Sequence, residues 1–275
     1  MLDLDSFLAD AQSQRPVEHF EPNFGYQDGW IWLRLDLANP TDVRVRRIID
    51  FGVNFMDEID VFWRAGGTTE TILSSRSTAP FSDRPLAYHE LAAAFELDAL
   101  ESGSLVVRYA SSGGTTLPVR LYTPEGWGEH TRAKIAYSIS TYVLLGTFAL
   151  VALVAFVLAP SRRVLFYMFA LMGVVTYIAQ VDGLAFQWLW PGLPSFNRVA
   201  TPVTAAVLTL AYSAFCWAYL DMRSNYPKLH PWFVGLLGLQ VVFVGLASIH
   251  VGFVVVSSNA SAVAIAAVAV YATLR

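Results

Sequence analysis

Apolar positions along the chain obey two different rules, and the change falls near Tyr137. Upstream they alternate with polar ones over short runs. Trp30, Trp32, Arg34 and Asp36 face one way against Ile31, Leu33, Leu35 and Leu37, the period-two pattern of a half-buried strand, which Asn39 and Pro40 end. Further strands are predicted at Val43–Phe51, Glu58–Arg64, Thr69–Leu73, Ala92–Leu97, Ser104–Ala110 and Leu117–Tyr122. Turn signals lie between them at Gly66-Gly67 and from Ser111 to Gly114. No helix-period run long enough for a crossover separates these strands. The pattern therefore predicts an antiparallel all-β sandwich of jelly-roll type, with Leu2–Gln14 as a short opening helix.

Downstream the alternation stops and long apolar runs take over. A spanning helix needs roughly 20 predominantly apolar residues. Five such spans are predicted, at about 137–159, 164–188, 199–220, 231–248 and 252–274. Pro160, Arg162 and Arg163 close the first, and the stretch from Trp188 to Pro194 ends the second. The last two divide a run from Leu229 to Leu274 that holds no charged residue. The chain thus reads as a sandwich domain over 1–130, a connector over 131–136 and a membrane region over 137–275.

Charge sharpens this division. Of the charged residues 32 precede Tyr137 and eight follow it; the first part holds 20 acids against 12 bases, the second two acids against six bases. An acidic soluble domain lacks the basic stripe that nucleic acid requires. Arg162, Arg163, Arg223, Lys228 and Arg275 fall on one side of the predicted spans, whereas Arg198, Arg132 and Lys134 fall on the other. Basic residues beside short loops mark the cytoplasmic side, which puts residues 1–136 outside and Arg275 inside. One cysteine, Cys216, excludes a disulfide framework and reads as a buried small hydrophobe. Met1 opens on acidic residues without a basic and apolar leader. With an odd number of spans, that predicts a fragment of a longer protein.

Catalytic patterns are missing from the sequence. His19, His89, His130, His230 and His250 show no metal-ligand spacing, and no phosphate loop, dinucleotide fingerprint or nucleophile elbow occurs. No cofactor, metal or enzymatic activity is expected. Asp57, Glu58 and Asp60 form an acidic cluster in which Glu58 and Asp60 share a strand face, read as a solvated edge. Trp30, Trp32, Trp63, Arg34, Arg84 and Arg108 offer flat rings and guanidinium forks of the kind a sugar or small-anion site uses. The same residues equally suit tryptophans packed between sheets and arginines capping strand ends. In the membrane region the polar candidates are Gln180 and Asp182 near the outer end of span two, Arg198 at the start of span three, and Asn259. An Asp182–Arg198 pair would be geometrically natural. Asn259, with Ser257, Ser258 and Ser261, suits hydrogen bonds between helices, and the small residues of Ala260–Ala269 suit close packing.

Four stretches carry a family likeness. They are Phe24–Asn39 with its aromatic-Leu-Arg strand and terminal Asn39, Asp57–Trp63, Pro80–Pro85 around Arg84, and Leu105–Tyr109 around Arg108 with the serine turn beyond it. With the Arg-bracketed apolar spans behind them, the chain resembles the bacterial seven-transmembrane receptors with diverse intracellular signalling modules (7TMR-DISM), of the type 2 extracellular-domain class. The resemblance implies a multi-pass protein of the bacterial inner membrane, with an extracytoplasmic domain that binds a small, carbohydrate-like ligand. It also implies a relay to a cytoplasmic output such as a diguanylate cyclase or histidine kinase, outside this chain. The chain departs from that pattern in its five spans and in lacking a leader and an output module.

The reading is therefore the sensory and membrane portion of a receptor, with Trp32, Arg34, Trp63, Arg84 and Arg108 as candidate ligand residues. The signal would enter span one through the segment Trp127–Lys134. A homodimer is compatible with this, although no strong seam is visible. The rivals are a transporter or channel subunit, which would need polar groups along one pathway, and a membrane-anchored carbohydrate-active protein, which would need a carboxylate pair in the sandwich.

Overall fold

Among the described residues seven strands form where the alternation runs. The computed structural model describes residues 4–9, 29–54, 56–111, 117–246 and 267. A short helix α1 (Leu4–Ala9) precedes β1 (Ile31–Ala38), β2 (Val45–Asp50), β3 (Glu58–Ala65), β4 (Thr68–Arg76), β5 (Ala92–Leu97), β6 (Ser102–Ala110) and β7 (Arg120–Tyr122). They make two antiparallel sheets, ordered β1-β6-β3-β4 and β5-β2-β7. One alternate set from each sheet meets in a shared core that includes Leu33, Ile49, Ile59, Val61, Leu73, Phe95, Leu105, Val107 and Tyr109. Burying each such side chain contributes roughly 1.5–3 kcal/mol, so this core is what selects the register.

Two glycine positions shape the larger sheet. Gly66 and Gly67 join β3 to β4 with φ of 56° and 83°, a left-handed pair that L side chains resist and hairpin turns favour. Gly103 on β6 faces Trp63 so closely that a Cβ there would meet the Arg64 carbonyl oxygen at 2.4 Å and the Trp63 ring at 2.7 Å. The indole lies across the space a side chain would need.

The helical part begins earlier than the apolar run. Helix α2 covers Pro124–Leu158, 35 residues, so positions 131–136 are continuous helix with the first apolar run. At roughly 1.5 Å per residue it is about 52 Å long against a hydrocarbon core of about 30 Å. Pro160 forbids its continuation, and Ser161 caps the next helix by accepting from the Val164 N–H at 3.3 Å. Helix α3 runs over Arg162–Val181. The second predicted span continued to Trp188; the helix stops at Val181 because Gly183 turns left-handed at φ 79°, and a separate short helix α4 occupies Leu184–Trp188. Helices α5 (Pro194–Tyr219), α6 (Met222–Asn225) and α7 (His230–Leu246) follow.

Among the described residues α2, α3 and α5 are long and apolar enough to cross a membrane, and α7 is a shorter apolar helix. The fifth predicted span, with Ser257, Ser258, Asn259 and Ser261, lies outside the described residues. The chain divides into two compact units, Met1–His130 with Pro191–Pro194 and Thr131–Trp190 with Ser195–Arg275. In the second unit Cys216 is buried beside Met222 and Phe233.

Gly103→Ala is expected to cost about 1–3 kcal/mol through overpacking against Trp63. Gly128→Ala, where a Cβ meets nothing within 4 Å, should leave stability at or slightly above the parent value. Thermal unfolding of the full chain in detergent measures both. Equal midpoints for Gly103→Ala and the parent would mean that the Arg64 carbonyl and the Trp63 ring do not close that space.

Candidate functional site

The outward face of the four-stranded sheet concentrates the polar and aromatic side chains of the first unit. Alternation sends Ile31, Leu33, Leu35 and Leu37 of β1 towards the core and leaves Trp32, Arg34 and Asp36 outside. The register then aligns Trp32 with Arg108, Arg108 with Asp60, and Asp60 with Ser74 in one row across all four strands.

Asp60 is the hub of that row. Its residue is 3% exposed, a position where an unpaired carboxylate would be strongly disfavoured. Arg76 donates to it twice, at 2.8 and 3.1 Å. Arg108 donates through Nε at 3.1 Å and through Nη2 as well, and the Ser74 hydroxyl donates at 2.8 Å. Burial opposes ionisation, but these hydrogen bonds together outweigh it and hold the carboxyl below the usual carboxylate range. Arg76 also reaches Glu58 at 3.1 Å. Of the cluster read as a solvated edge, Asp60 is instead buried in an ion network, because β3 lies between β6 and β4, while Glu58 keeps 42% exposure.

Rings complete the surface. The Arg108 guanidinium lies 4.3 Å from the Trp30 ring centroid and 5.6 Å from that of Trp32, contacts of about 0.5–2 kcal/mol each. Arg34 donates to Asp36 at 2.9 Å, and Ser104 donates to the same oxygen at 2.6 Å. Helix α1 rests on this face. Phe7 stacks on Trp32 with centroids 5.1 Å apart, and Asp5 pairs with Arg64.

Trp32, Arg34 and Arg108 therefore share one surface, whereas Trp63 and Arg84 are placed elsewhere. Trp63 points into the core at 4% exposure, tilted against Phe95 at 6.0 Å, with its indole N–H donating to Glu101 at 3.3 Å. Alternation with Ile59 and Val61 puts it there. Arg84 follows a 3-10 turn at Phe81–Asp83 and spends its guanidinium on the carbonyls of Asn54, Tyr88 and His89. Burial pushes it down to about 10, with Glu90 opposing. It clamps loops rather than facing solvent. Asn39, the terminal asparagine of the first motif, is likewise structural. Its amide donates to the carbonyls of Val43 and Asp98 at 2.8 and 2.7 Å, and its oxygen accepts from Thr41.

In the second unit Gln180 is 1% exposed and donates to Asn197 at 3.2 Å and Thr201 at 3.3 Å, while the Trp190 N–H donates to Asn197 at 3.3 Å. Asp182 accepts from the Tyr142 hydroxyl at 3.1 Å, which ties α2 to the end of α3. Arg198 is exposed on α5. Asn197 and Tyr142 carry no charge and escaped the sequence reading. Among the described residues no group of three or more His, Cys, Asp or Glu side chains is placed to hold a metal ion.

Because the native state holds Asp60 ionised more readily than the unfolded chain does, this contribution is present above the unfolded value of about 3.9 and is lost as pH falls through the lower folded value. Asp60→Asn is expected to cost about 3 kcal/mol, by leaving two guanidinium groups underpaired. It should also remove the part of the acid-limb loss that belongs to Asp60. Unfolding midpoints followed from neutral pH down to about pH 3 test this; an unchanged midpoint would remove Asp60 as the hub.

No curated protein matches the chain. The family described as 7TMR-DISM extracellular 2 matches residues 2–123, and that described as 7TM diverse intracellular signalling matches residues 136–275. The two matches lie on either side of the first turns of helix α2, and the chain belongs to the 7TMR-DISM family of membrane sensory receptors.

Proposed function

We propose that the chain is the sensory and membrane portion of a bacterial inner-membrane receptor. Its jelly-roll-like sandwich binds a small carbohydrate-like ligand outside the membrane, and its helices, five in this chain, relay the event to a cytoplasmic output module. The observation that carries the ligand class is charge balance. The outward face of the large sheet sets the guanidinium groups of Arg34, Arg64, Arg76 and Arg108 against the carboxylates of Asp5, Asp36, Glu58 and Asp60 in contacting pairs. A free anion would have to compete with built-in carboxylates. A neutral polyhydroxylated ring can use the Trp32 face and the outer N–H and hydroxyl groups without disturbing that balance. Phe7 occupies the Trp32 ring, so a ligand there would take its place.

Thermal shifts of the full chain in detergent, read against a panel of mono- and oligosaccharides and small anions, test the reading. At least one sugar class is expected to raise the midpoint, Trp32→Ala to cancel the rise, and Phe7→Ala to keep it. A panel in which no sugar shifts the midpoint, or in which only anions do, would remove the carbohydrate-like class.

A further inference from the structure

The smaller sheet carries a buried acid on its outer side. Asp50 ends β2 on the face opposite Ile49, and its side chain is fully buried, covered at the start of α2. An ion in such a place needs partners. Oδ1 accepts from the Gly52 N–H at 3.0 Å. Oδ2 lies 3.7 Å from Nε2 of His130, too far for a hydrogen bond but within the reach of an ion pair with a protonated imidazole. His130 Nε2 has no hydrogen-bond partner among the described residues. Its side chain keeps 26% exposure, so the ring reaches solvent at its edge while Nε2 itself is turned inward and buried.

The surroundings leave the imidazole as the group that changes charge. From β7, Tyr122 stacks on the His130 ring at 4.9 Å, and Arg120, the cross-strand partner of Asp50, hydrogen-bonds the Tyr122 side chain. From the segment before β5, Tyr88 packs edge-on against Trp127 at 5.0 Å and against the His89 ring at 4.1 Å, with buried Glu90 next in sequence. From α2 itself come Trp127, 6.1 Å from the His130 ring, and exposed Glu129, with Lys134 one turn on. Burial first, then Glu90 and Asp50, push the Tyr88 phenol up. Burial, then Asp50, do the same for Tyr122. Both stay neutral through the range in which histidine titrates.

We propose that His130 and Asp50 form a proton-operated latch between the start of α2 and strand β2. A proton taken from solvent by Nε2 closes an ion pair with the buried carboxylate and fixes the first turns of α2 to the sheet. Loss of that proton releases them. Because α2 continues without interruption to Leu158, the receptor would report external acidity as an input separate from ligand. The ion pair exists only while the imidazole carries its proton, so the stabilisation is present at low pH and fades as pH rises.

The test is the thermal midpoint of the ligand-free full chain in detergent, followed from about pH 8 to about pH 5.5, for the parent, His130→Gln, Asp50→Asn and His89→Gln. The parent is expected to gain a few degrees over His130→Gln as pH falls, with Asp50→Asn flat and His89→Gln parallel to the parent. If Asp50→Asn fails to fold, amide exchange over residues 124–130 in the parent and His130→Gln decides, with extra protection in the parent only at the acid end. Parallel pH profiles for the parent and His130→Gln, or loss of the response in His89→Gln alone, would overturn the latch. No ligand enters the experiment, so its outcome is independent of the carbohydrate-like reading.

Discussion

A peptide group in hydrocarbon has no water to bond with, so a chain that crosses a membrane must satisfy its backbone internally. That requirement makes helix α2 unbroken, and its length then reaches beyond the membrane. Of its 35 residues, roughly 20 suffice for the hydrocarbon core. The remainder, from Pro124, carries Glu125, Glu129, Arg132 and Lys134 and begins within the unit that holds the two sheets. There Trp127 and His130 pack with Tyr122 and Tyr88. One rod thus belongs to two solvents. A helical backbone resists bending because each turn is bonded to the next.

The two sheets use their outer faces differently. The larger one neutralises itself. Asp60, Glu58, Arg76 and Arg108 satisfy one another in a network whose removal from water is repaid only by its full set of bonds. What stays available to a partner is shape and ring surface. The smaller one is covered at its end by the start of α2, and its buried Asp50 has a titratable partner on that helix. The self-neutralised ion network and the buried Asp50 therefore lie on opposite outer faces of the two sheets, with the shared core between them.

Much of this was legible because sheets encode their faces by alternation. Each predicted strand lies within a few residues of an observed one, and of the five candidate residues Trp32, Arg34 and Arg108 fall on one surface. Alternation also placed Trp63 beside Ile59 and Val61, in the core; grouping tryptophans by type concealed that. The position of β3 between β6 and β4 depends on pairing across dozens of residues, which no local pattern reveals, so Asp60 looked like an edge acid. Arg84 bonds to backbone carbonyls, which leave no trace in side-chain identities. Helix boundaries shifted for a related reason. Hydropathy marks where hydrocarbon begins, whereas helix continues until a Pro or a left-handed Gly stops it. α2 therefore starts at Pro124, well before Tyr137, and α3 ends before Gly183.

The central claim is that the sandwich and the membrane share one uninterrupted helix. Nitroxide labels placed singly at successive positions from Pro124 to Leu158 in the full chain, reconstituted in bilayers, address it most directly, since buried Cys216 is shielded from the reagent. Collision rates with oxygen and with a water-soluble nickel complex should oscillate with one helical period of about 3.6 residues over the whole stretch, and oxygen should gain on nickel beyond Tyr137. A loss of periodicity over 131–136 would show a hinge in place of a rod and contradict the account.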